Sequence, residues 1–440
     1  MSDDVKLLHK ATLRMEAGRP TAAAWGSGAA TSISDADGFP FLSFVPKKTI
    51  NFEQDNTIYS QGFKDLPRLV GSYVENSFSR NARFQGPHNA HLYWMFGYEL
   101  PPVAVDCITT ATEITTLVAG DVYEDTEGNA FTFIRKETYG STFIYVFSAD
   151  DSEGIATGDL TQSSGSGPET ITPVTKSGLM YEHVFELDKD SRHATAYLTG
   201  QKPSSLPAGQ KCRRATIHFA TQVTDYRFIN CMCKKFSFGS EAGKFWEVGN
   251  DFIGHSESKG DYNSSSWGLP DAAQTSSTII AHHQTQFRVG TSEATLSSLG
   301  VTSWGLEVEA PLAVEQDTAS GIYLMEPIFN GKYSIKLNAT LSRYSSDTYQ
   351  NLRDTWTDVI VTVRARDGFY SKGFYVTKAK ISEASLDDSE VTKQSLVFEP
   401  YYDNTALTTH FPAGQFAFKM NSPIVCMVRD KNSTYSMIQY

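Results

Sequence analysis

The sequence predicts a mainly β (α+β) fold, a β-sandwich or barrel with one flanking α-helix. Two stretches alternate apolar residues with polar residues or glycine, as strands with one buried face do. The first is 300–310, where Trp304 and Leu306 share a face, and the second is 331–341. Beyond the second stretch the period becomes helical, so one amphipathic helix is expected to pack on the sheet.

The predicted helix begins after residues 345–347, whose Ser and Asp side chains suit an N-cap. Tyr349, Leu352 and Trp356 recur at helical spacing, while the residues between them are mostly polar. We therefore predict a helix-on-sheet core in which the helix contributes apolar side chains to the dry face of the first strand. Its members are Trp304, Leu306, Leu352 and Trp356.

The order of these segments resembles the tail tube proteins of long-tailed bacteriophages. The matching pieces are residues 301–308, 326–335, 345–358 and 394–401. The resemblance implies a tail-tube-like fold and a structural virion protein. Such a subunit polymerises as stacked rings around a channel for genome delivery into the host. It is assembled in the host cytoplasm and resides in the virion tail.

The resemblance also implies the partners of this chain. The first is the chain itself, in trimeric or hexameric rings stacked into a tube. Others are tail proteins such as the tape measure, terminator and distal tail or baseplate proteins. Viral DNA would pass transiently, without specific binding. Glu307 and Glu309 lie on the polar face of the predicted strand, so we expect them to face the channel lumen.

The domain organisation is predicted from composition shifts along the chain. Residues 1–38 are small and polar and predict a flexible N-terminal arm. Residues 39–262 predict a first tube-like domain that carries a small β insert at 107–160. A Ser-, Asn- and Gly-rich linker at 263–278 precedes a second tube-like domain at 279–440.

An internal duplication is also predicted. Residues 243–256 and 331–342 both begin with Gly-Lys and an aromatic residue and continue as a strand. If the chain carries two tube folds, a trimer would give the same ring as a hexamer of single-fold chains.

Residues 69–97 are predicted to form helical pieces that are broken around Gly86-Pro87.

Charge and hydropathy exclude several classes of function. The formal net charge is −12, and no basic stripe suited to gripping phosphates is visible. No apolar run reaches the length of a membrane span, and residues 1–10 lack the pattern of a signal peptide. The spacing of the five cysteines predicts neither a disulfide framework nor a zinc site. Cys231 and Cys233 are expected to be buried thiols, with inter-subunit disulfides as the alternative.

Catalytic chemistry is not expected. The sequence has no nucleophile elbow, zinc-protease helix, phosphate-cradling loop or dinucleotide fingerprint, so we predict no enzyme activity and no cofactor. One alternative function comes from a different class. A β-rich carbohydrate-binding or adhesin-type module on a virion or cell surface could stack sugars on exposed aromatic residues such as Tyr262 and Trp267.

Overall fold

The computed structural model describes residues 10–15, 39–44, 48–53, 68–100, 102–139, 141–149, 153–187, 214–221, 224–261, 278–292, 295–313, 327–329, 331–387, 391–402 and 422–433. Of the predicted arm, residues 10–15 are described as a strand and residues 16–38 lie outside these ranges. The predicted linker lies outside them except for residue 278. Every structural statement below concerns the described residues.

The predicted mainly β fold is confirmed. The first part of the chain contains β1 (Lys10–Met15), β2 (Ser43–Phe44), β3 (Lys48–Glu53), β4 (Arg68–Asn81), α1 (Pro87–Phe96), β5 (Gly97–Glu99), β6 (Val103–Thr109), β7 (Val122–Glu124), β8 (Ala130–Tyr139), β9 (Thr142–Ser148), β10 (Leu160–Ser164), β11 (Thr170–Ile171), β12 (Thr175–Lys176) and β13 (Met180–Leu187). All of the strand pairings are antiparallel, so short connections can join neighbouring strands.

The remaining elements continue this antiparallel pattern. They are β14 (Arg214–Ala220), β15 (Thr224–Glu241), β16 (Glu247–Gly254), β17 (Ser256–Asp261), a 3₁₀ turn (His282–Gln284), β18 (Thr285–Gly290), β19 (Ser297–Leu299), β20 (Val301–Glu309), β21 (Leu312–Ala313), β22 (Ile328–Phe329), β23 (Ser334–Leu341), α2 (Thr348–Asp354), β24 (Val359–Asp367), β25 (Tyr370–Asp387), β26 (Lys393–Pro400) and β27 (Ile424–Asp430). β15 and β25 are the longest strands, with 18 residues each, and each pairs with different neighbours along its two halves.

A wide sheet, here called the central sheet, crosses the whole chain. Its strand order is β3, β4, β16, the C-terminal half of β15, β20, β23, β26 and the C-terminal half of β25. The pairing of β15 with β20 joins the two predicted domains, because the first strand precedes the predicted linker and the second follows it. Hydrogen-bonded sheet therefore continues across the predicted division.

The N-terminal halves of β15 and β25 leave the central sheet and enter an outer layer. There β15 pairs with β14 and β17, while β25 pairs with β24 and β27. One apolar core lies between the layers, and α1 and α2 contribute to it. Phe238 of the central sheet and Phe374 of the outer layer illustrate this packing, with ring centroids 4.7 Å apart.

The predicted insert is a β unit with a core of its own. That core contains Ile108, Tyr123, Phe131, Phe133, Tyr145, Phe147, Ile155, Leu160 and Ile171. It extends beyond the predicted end at residue 160 as far as Ile171. Two strands connect this unit to the rest of the sheet. β6 pairs with β9 of the unit and with β13, and β13 in turn pairs with β27.

The three-strand units β14–β15–β16 and β24–β25–β26 share an irregular pairing pattern. In both units the pairing of the first two strands is interrupted by a bulge. At the bulge the register skips one residue of the first strand (β14 or β24) and two residues of the long strand (β15 or β25). The skip lies between partners Cys231 and Phe228 in β15, and between Ala379 and Val376 in β25. A bulge bends a strand at a set position, so matching bulges imply that the two long strands bend alike.

A second bulge follows at the same distance along each long strand. It lies between Cys233 and Lys235 in β15 and between Ile381 and Glu383 in β25. In both units the following strand, β16 or β26, skips no residue at this point. The shared bulges therefore align Lys235 with Glu383, and β16 with β26.

This alignment differs from the duplication that the sequence predicts. The Gly-Lys-aromatic match aligns 243–256 with 331–342, which would make β16 the counterpart of β23. In the structure the counterpart of β16 is β26. β4 pairs with the side of β16 that faces away from β15, and β23 pairs with the side of β26 that faces away from β25. β23 therefore corresponds to β4. The shared Gly-Lys-aromatic letters therefore mark two different positions in the fold.

The helical prediction for residues 69–97 is wrong in its first half. Residues 68–81 form β4, and only Pro87–Phe96 is helical. Every second residue of β4 from Val74 to Arg80 is buried on the dry face. Val74 and Phe78 on this face are apolar, but Asn76 and Arg80 on the same face are polar. Polar residues on the dry face hide the period of two that would identify a strand.

Candidate assembly surface

The outward face of the central sheet is polar on β20, β23 and β26, whereas Met232 and Ile253 form a small apolar cluster on the same side of β15 and β16. On β20, Trp304, Leu306 and Val308 are buried, while the residues between them are exposed or half-buried. The same alternation holds on β23 and β26. We call this outward side the polar face. Such alternation leaves one dry side for the core and one wet side for solvent.

Glu307 and Glu309 are both exposed on the polar face, as the alternation predicts. The Lys235 ammonium lies 3.0 Å from the Glu307 carboxylate, and this hydrogen bond raises the pKa of Lys235. On the same face, Lys234 contacts Glu75 at 2.7 Å, and that hydrogen bond raises the pKa of Lys234. These cross-strand pairs hold part of the acidic charge in place.

Acidic side chains outnumber basic ones on the polar face. Among the described residues the acidic ones are Glu75, Glu241, Glu247, Asp251, Glu307, Glu309, Glu383, Asp387 and Glu399, and the basic ones are Lys234, Lys235, Lys244, Lys336, Lys380 and Lys393. Partial burial raises the pKa of Asp251 above its ordinary value, although nearby Lys235 and Lys234 oppose that shift. The polar face therefore carries a net negative potential at neutral pH.

Glycines make a shallow depression of about 450 Å³ in the middle of the polar face. Gly239 pairs directly with Gly305 across the β15–β20 joint, and Gly249 lies opposite Ser237. A Cβ at Gly239 would meet the Trp304 carbonyl oxygen at 3.1 Å. The sheet is thus thin here and presents backbone with small side chains to solvent.

The dry side of β20 matches the predicted core. Trp304 and Leu306 are buried, and the Trp304 ring lies 4.7 Å from the ring of Trp246. Leu352 on α2 is partly buried against the same core. These three residues belong to one core, and the strand against which α2 packs most extensively is β25.

Trp356 is a correction to that prediction, because its side chain is 61% exposed. α2 ends at Asp354, and Trp356 follows with a φ of 52°, in the left-handed region. This turn carries the ring away from the inner face of the helix, so helical spacing no longer applies. The Lys380 ammonium lies 5.7 Å from the ring centroid, a cation–π contact at the surface.

In the part of the chain that the structure describes, both ends of the central sheet are open. Among these residues β3 pairs with β4 only, and the C-terminal half of β25 pairs with β26 only. Along the opposite edge of β25, β24 pairs with residues up to Ala379, and none of the later residues of β25 pairs with β24. Within the described ranges, no strand pairs with the outer side of residues 380–387. Open edges offer unpaired backbone donors and acceptors to another strand.

A buried charge cluster attaches the insert to the second half of the chain. The Glu137 carboxylate of β8 contacts the guanidinium groups of Arg135, Arg364, Arg366 and Arg429. Glu182 of β13 contacts Arg135 and Arg429 as well. Burial raises the pKa of Glu182, but the charges of Arg135 and Arg429 outweigh that effect, so its pKa is lowered. No motif in the sequence identifies this cluster.

The described residues contain no group of His, Cys, Asp and Glu arranged to hold a metal ion. Cys231 and Cys233 are buried and free, as expected for these two residues; Cys107 and Cys426 are buried and free as well, and Cys212 lies outside the described ranges. Tyr262 and Trp267, the residues of the carbohydrate-binding alternative, also lie outside them. Among the described helices, none combines the length and the apolar character needed to cross a membrane.

Comparison with known proteins does not assign this chain to a family. No protein-family model matches it, and no curated protein matches its sequence.

Proposed function

We propose that this chain is a structural subunit of a phage-type tail tube, which polymerises as stacked rings around a channel for DNA. The observation that carries this proposal is the central sheet, a wide wall with one dry side and one polar, acidic side. A tube wall needs these two sides, because its outer layer must hold the sheet rigid while its inner side stays wetted.

The charge of the polar face suits a conduit for nucleic acid. DNA binds proteins mainly through neutralised phosphates, so an acidic lining keeps the duplex from adhering as it passes. Lys235 and Lys336 are flanked by acidic residues on neighbouring strands, which reduces their attraction for phosphate. Glu307 and Glu309 are the residues we place at the lumen.

The similar pairing of the two halves supports a ring in which each chain supplies two wall segments. A trimer then presents six segments, the ring that hexameric single-fold subunits would form. Negative-stain images of the purified chain should show rings or short tubes. Monodisperse small particles at every concentration, with affinity for glycans, would support the adhesin-type alternative instead.

A charge reversal tests the lumen assignment. In particles assembled with Glu307→Lys and Glu309→Lys, we expect tubes of normal appearance but slower or stalled DNA release, because the lining now attracts phosphates. Glu169→Lys, an exposed position on the insert, is the matched control and should release DNA normally. Equal rates of DNA release by wild type, the double variant and the control would show that Glu307 and Glu309 do not line the channel.

A further inference from the structure

We infer that the open edge of β25 in one copy pairs with the β2–β3 edge of a second copy, in the register that β15 and β20 use within the chain. This inference rests on the proposed function, since it specifies how neighbouring copies join. It is carried by the shared bulge pattern of the two halves and by the position of the open edges.

The internal joint shows what covers such an edge. The C-terminal half of β15 pairs with β16 on one side and with β20 on the other. The equivalent half of β25 pairs with β26 on one side and has no strand on the other within the described ranges. One of two equivalent edges is therefore covered and the other is open.

The strand that covers β15 has its own counterpart in the first half. β20 pairs with β23, as β2 and β3 pair with β4. The aligned units place β4 against β16 in the way that β23 lies against β26, with Asn76 opposite Phe252 and Leu337 opposite Phe398. Asn76 of β4 is therefore equivalent to Leu337 of β23, because their partners Phe252 and Phe398 are equivalent. Two residues earlier on each strand, Val74 is equivalent to Ile335.

The register of the joint between copies follows from these matches. Val74 lies opposite Lys48, and Ile335 lies opposite Val308, so Lys48 corresponds to Val308. The next position, Thr49, then corresponds to Glu309, because their partners Tyr73 and Ser334 also match.

Within the chain Glu309 pairs with Lys235, and Lys235 is the counterpart of Glu383. The joint between copies therefore sets Glu383 opposite Thr49 and Ala384 opposite Lys48. Because the two edges belong to opposite ends of one sheet, the contact is head-to-tail and can close into a ring.

The open edge of β25 has features of a protected docking strand. Leu386 is 46% exposed although its counterpart Phe238 is buried. The guanidinium of Arg353 donates to the Ala384 carbonyl at 3.3 Å, so this carbonyl points outward, away from β26. Charged side chains at an edge discourage indiscriminate pairing, and Lys48 is exposed on the other edge. Docking replaces the Arg353 bond with a backbone donor from the second copy.

Disulfide trapping tests the register directly. Directly opposed residues that do not exchange backbone hydrogen bonds have Cα atoms about 4.5 Å apart, within reach of a disulfide. The Thr49→Cys, Glu383→Cys double variant should therefore form interchain disulfides on mild oxidation of the assembled protein. The matched control is Asn51→Cys with Glu383→Cys, which places the sulfur one step along the same face. Its diagonal separation of about 7–8 Å predicts at least about tenfold less cross-linked product.

The outcomes separate this inference from the proposed function. Rings or tubes that cross-link poorly through Thr49→Cys, or better through Asn51→Cys, would overturn the register while the tube proposal stands. Absence of rings together with absence of cross-links, in wild type and variants alike, would contradict the tube proposal itself. Preferred cross-linking through Thr49→Cys supports both.

A proline substitution gives a second test that does not depend on oxidation. In the inferred register Lys48 lies opposite Ala384, whose carbonyl points outward, so the Lys48 N–H donates to that carbonyl in the joint. Lys48→Pro should leave the chain folded but reduce assembly by at least about tenfold, since this docking bond is lost. Lys48→Ala keeps the N–H and should still assemble. Equal assembly of the two variants would refute pairing at this edge.

Discussion

Phe238 and Leu386 occupy equivalent places in two units with the same bulges, yet one is 2% exposed and the other 46%. The difference lies in their neighbours, because β20 covers the edge beside Phe238 while the edge beside Leu386 is open. The same local structure is therefore complete in one half and, among the described residues, incomplete in the other. We interpret the incomplete half as the part of the wall that another copy completes.

The second half has a feature that the first lacks. Arg364 and Arg366 on β24 contact Glu137 of the insert, whereas the counterpart of Arg364 on β14 is the small residue Ala220. The carboxylate of Glu137 thus links the insert to β24 in the outer layer of the second unit.

The largest effect is expected at the covered edge. Phe238→Ala removes a ring that packs against Phe374, and should lower the free energy of unfolding by about 3–5 kcal/mol. Leu386→Ala, the matched change at the open edge, should cost less than about 1 kcal/mol in the monomer. Chemical denaturation of both variants measures the contrast. Similar losses at the two positions would show that the edges are not different in the free chain.

A somewhat smaller loss is expected from the buried cluster. Glu137→Gln leaves the guanidinium groups around it without their carboxylate, and should cost about 3 kcal/mol. Glu113→Gln removes a carboxylate from an exposed ion pair with Lys136 on the same insert, and should cost at most about 1 kcal/mol. Denaturant midpoints distinguish them. Equal midpoints would mean that the cluster does not hold the insert.

Stability should also depend on pH at both ends of the range. Burial lowers the pKa of His183, but the Glu99 hydrogen bond at 2.8 Å and the charge of Asp430 outweigh it, so its pKa is raised above 6.5. Its contribution is fully present below pH 6.5 and is lost as the pH rises through the raised value. The lowered pKa of Glu182 acts oppositely, giving stability above pH 4.5 that is lost in acid.

Thermal unfolding from acid to alkaline pH measures both limbs. His183→Gln should flatten the alkaline limb and leave the acid limb in place. An alkaline limb that is unchanged in this variant would assign the effect to another group.

The smallest effect is expected on the polar face. Glu307→Gln removes the partner of Lys235, a pair that is partly exposed, so the free energy of unfolding should change by less than about 1 kcal/mol. Assembly should persist, because Glu307 lies on β20, which pairs with β15 and β23 within the chain and is not one of the strands of the joint between copies. A large loss of stability in denaturation would show that Glu307 supports the fold rather than the channel.

The sequence predicts the fold best where polarity and burial agree. β20 and β23 alternate cleanly, so their faces and the exposure of Glu307 and Glu309 follow from the period of two. β4 does not alternate cleanly because Arg80 lies on its dry face, where its guanidinium donates to the Asn250 side chain at 2.8 Å. That partner is far away in the chain, so no local pattern reveals the strand.

Other features depend on contacts between distant segments in the same way. Glu137 and Arg429 meet only after the insert and the last described strand have docked. Trp356 fits the helical period, but its position is decided by the turn that ends α2. The open edges are likewise a property of the whole sheet, because they depend on which strands find no neighbour.

Cryo-electron microscopy of the assembled protein, at side-chain resolution, would show directly which face of the central sheet lines the channel. We expect stacked rings in which the central sheets of neighbouring copies join, with Glu307 and Glu309 on the inner wall. A ring with the polar face turned outward, or a protein that stays monomeric at every concentration, would contradict this expectation.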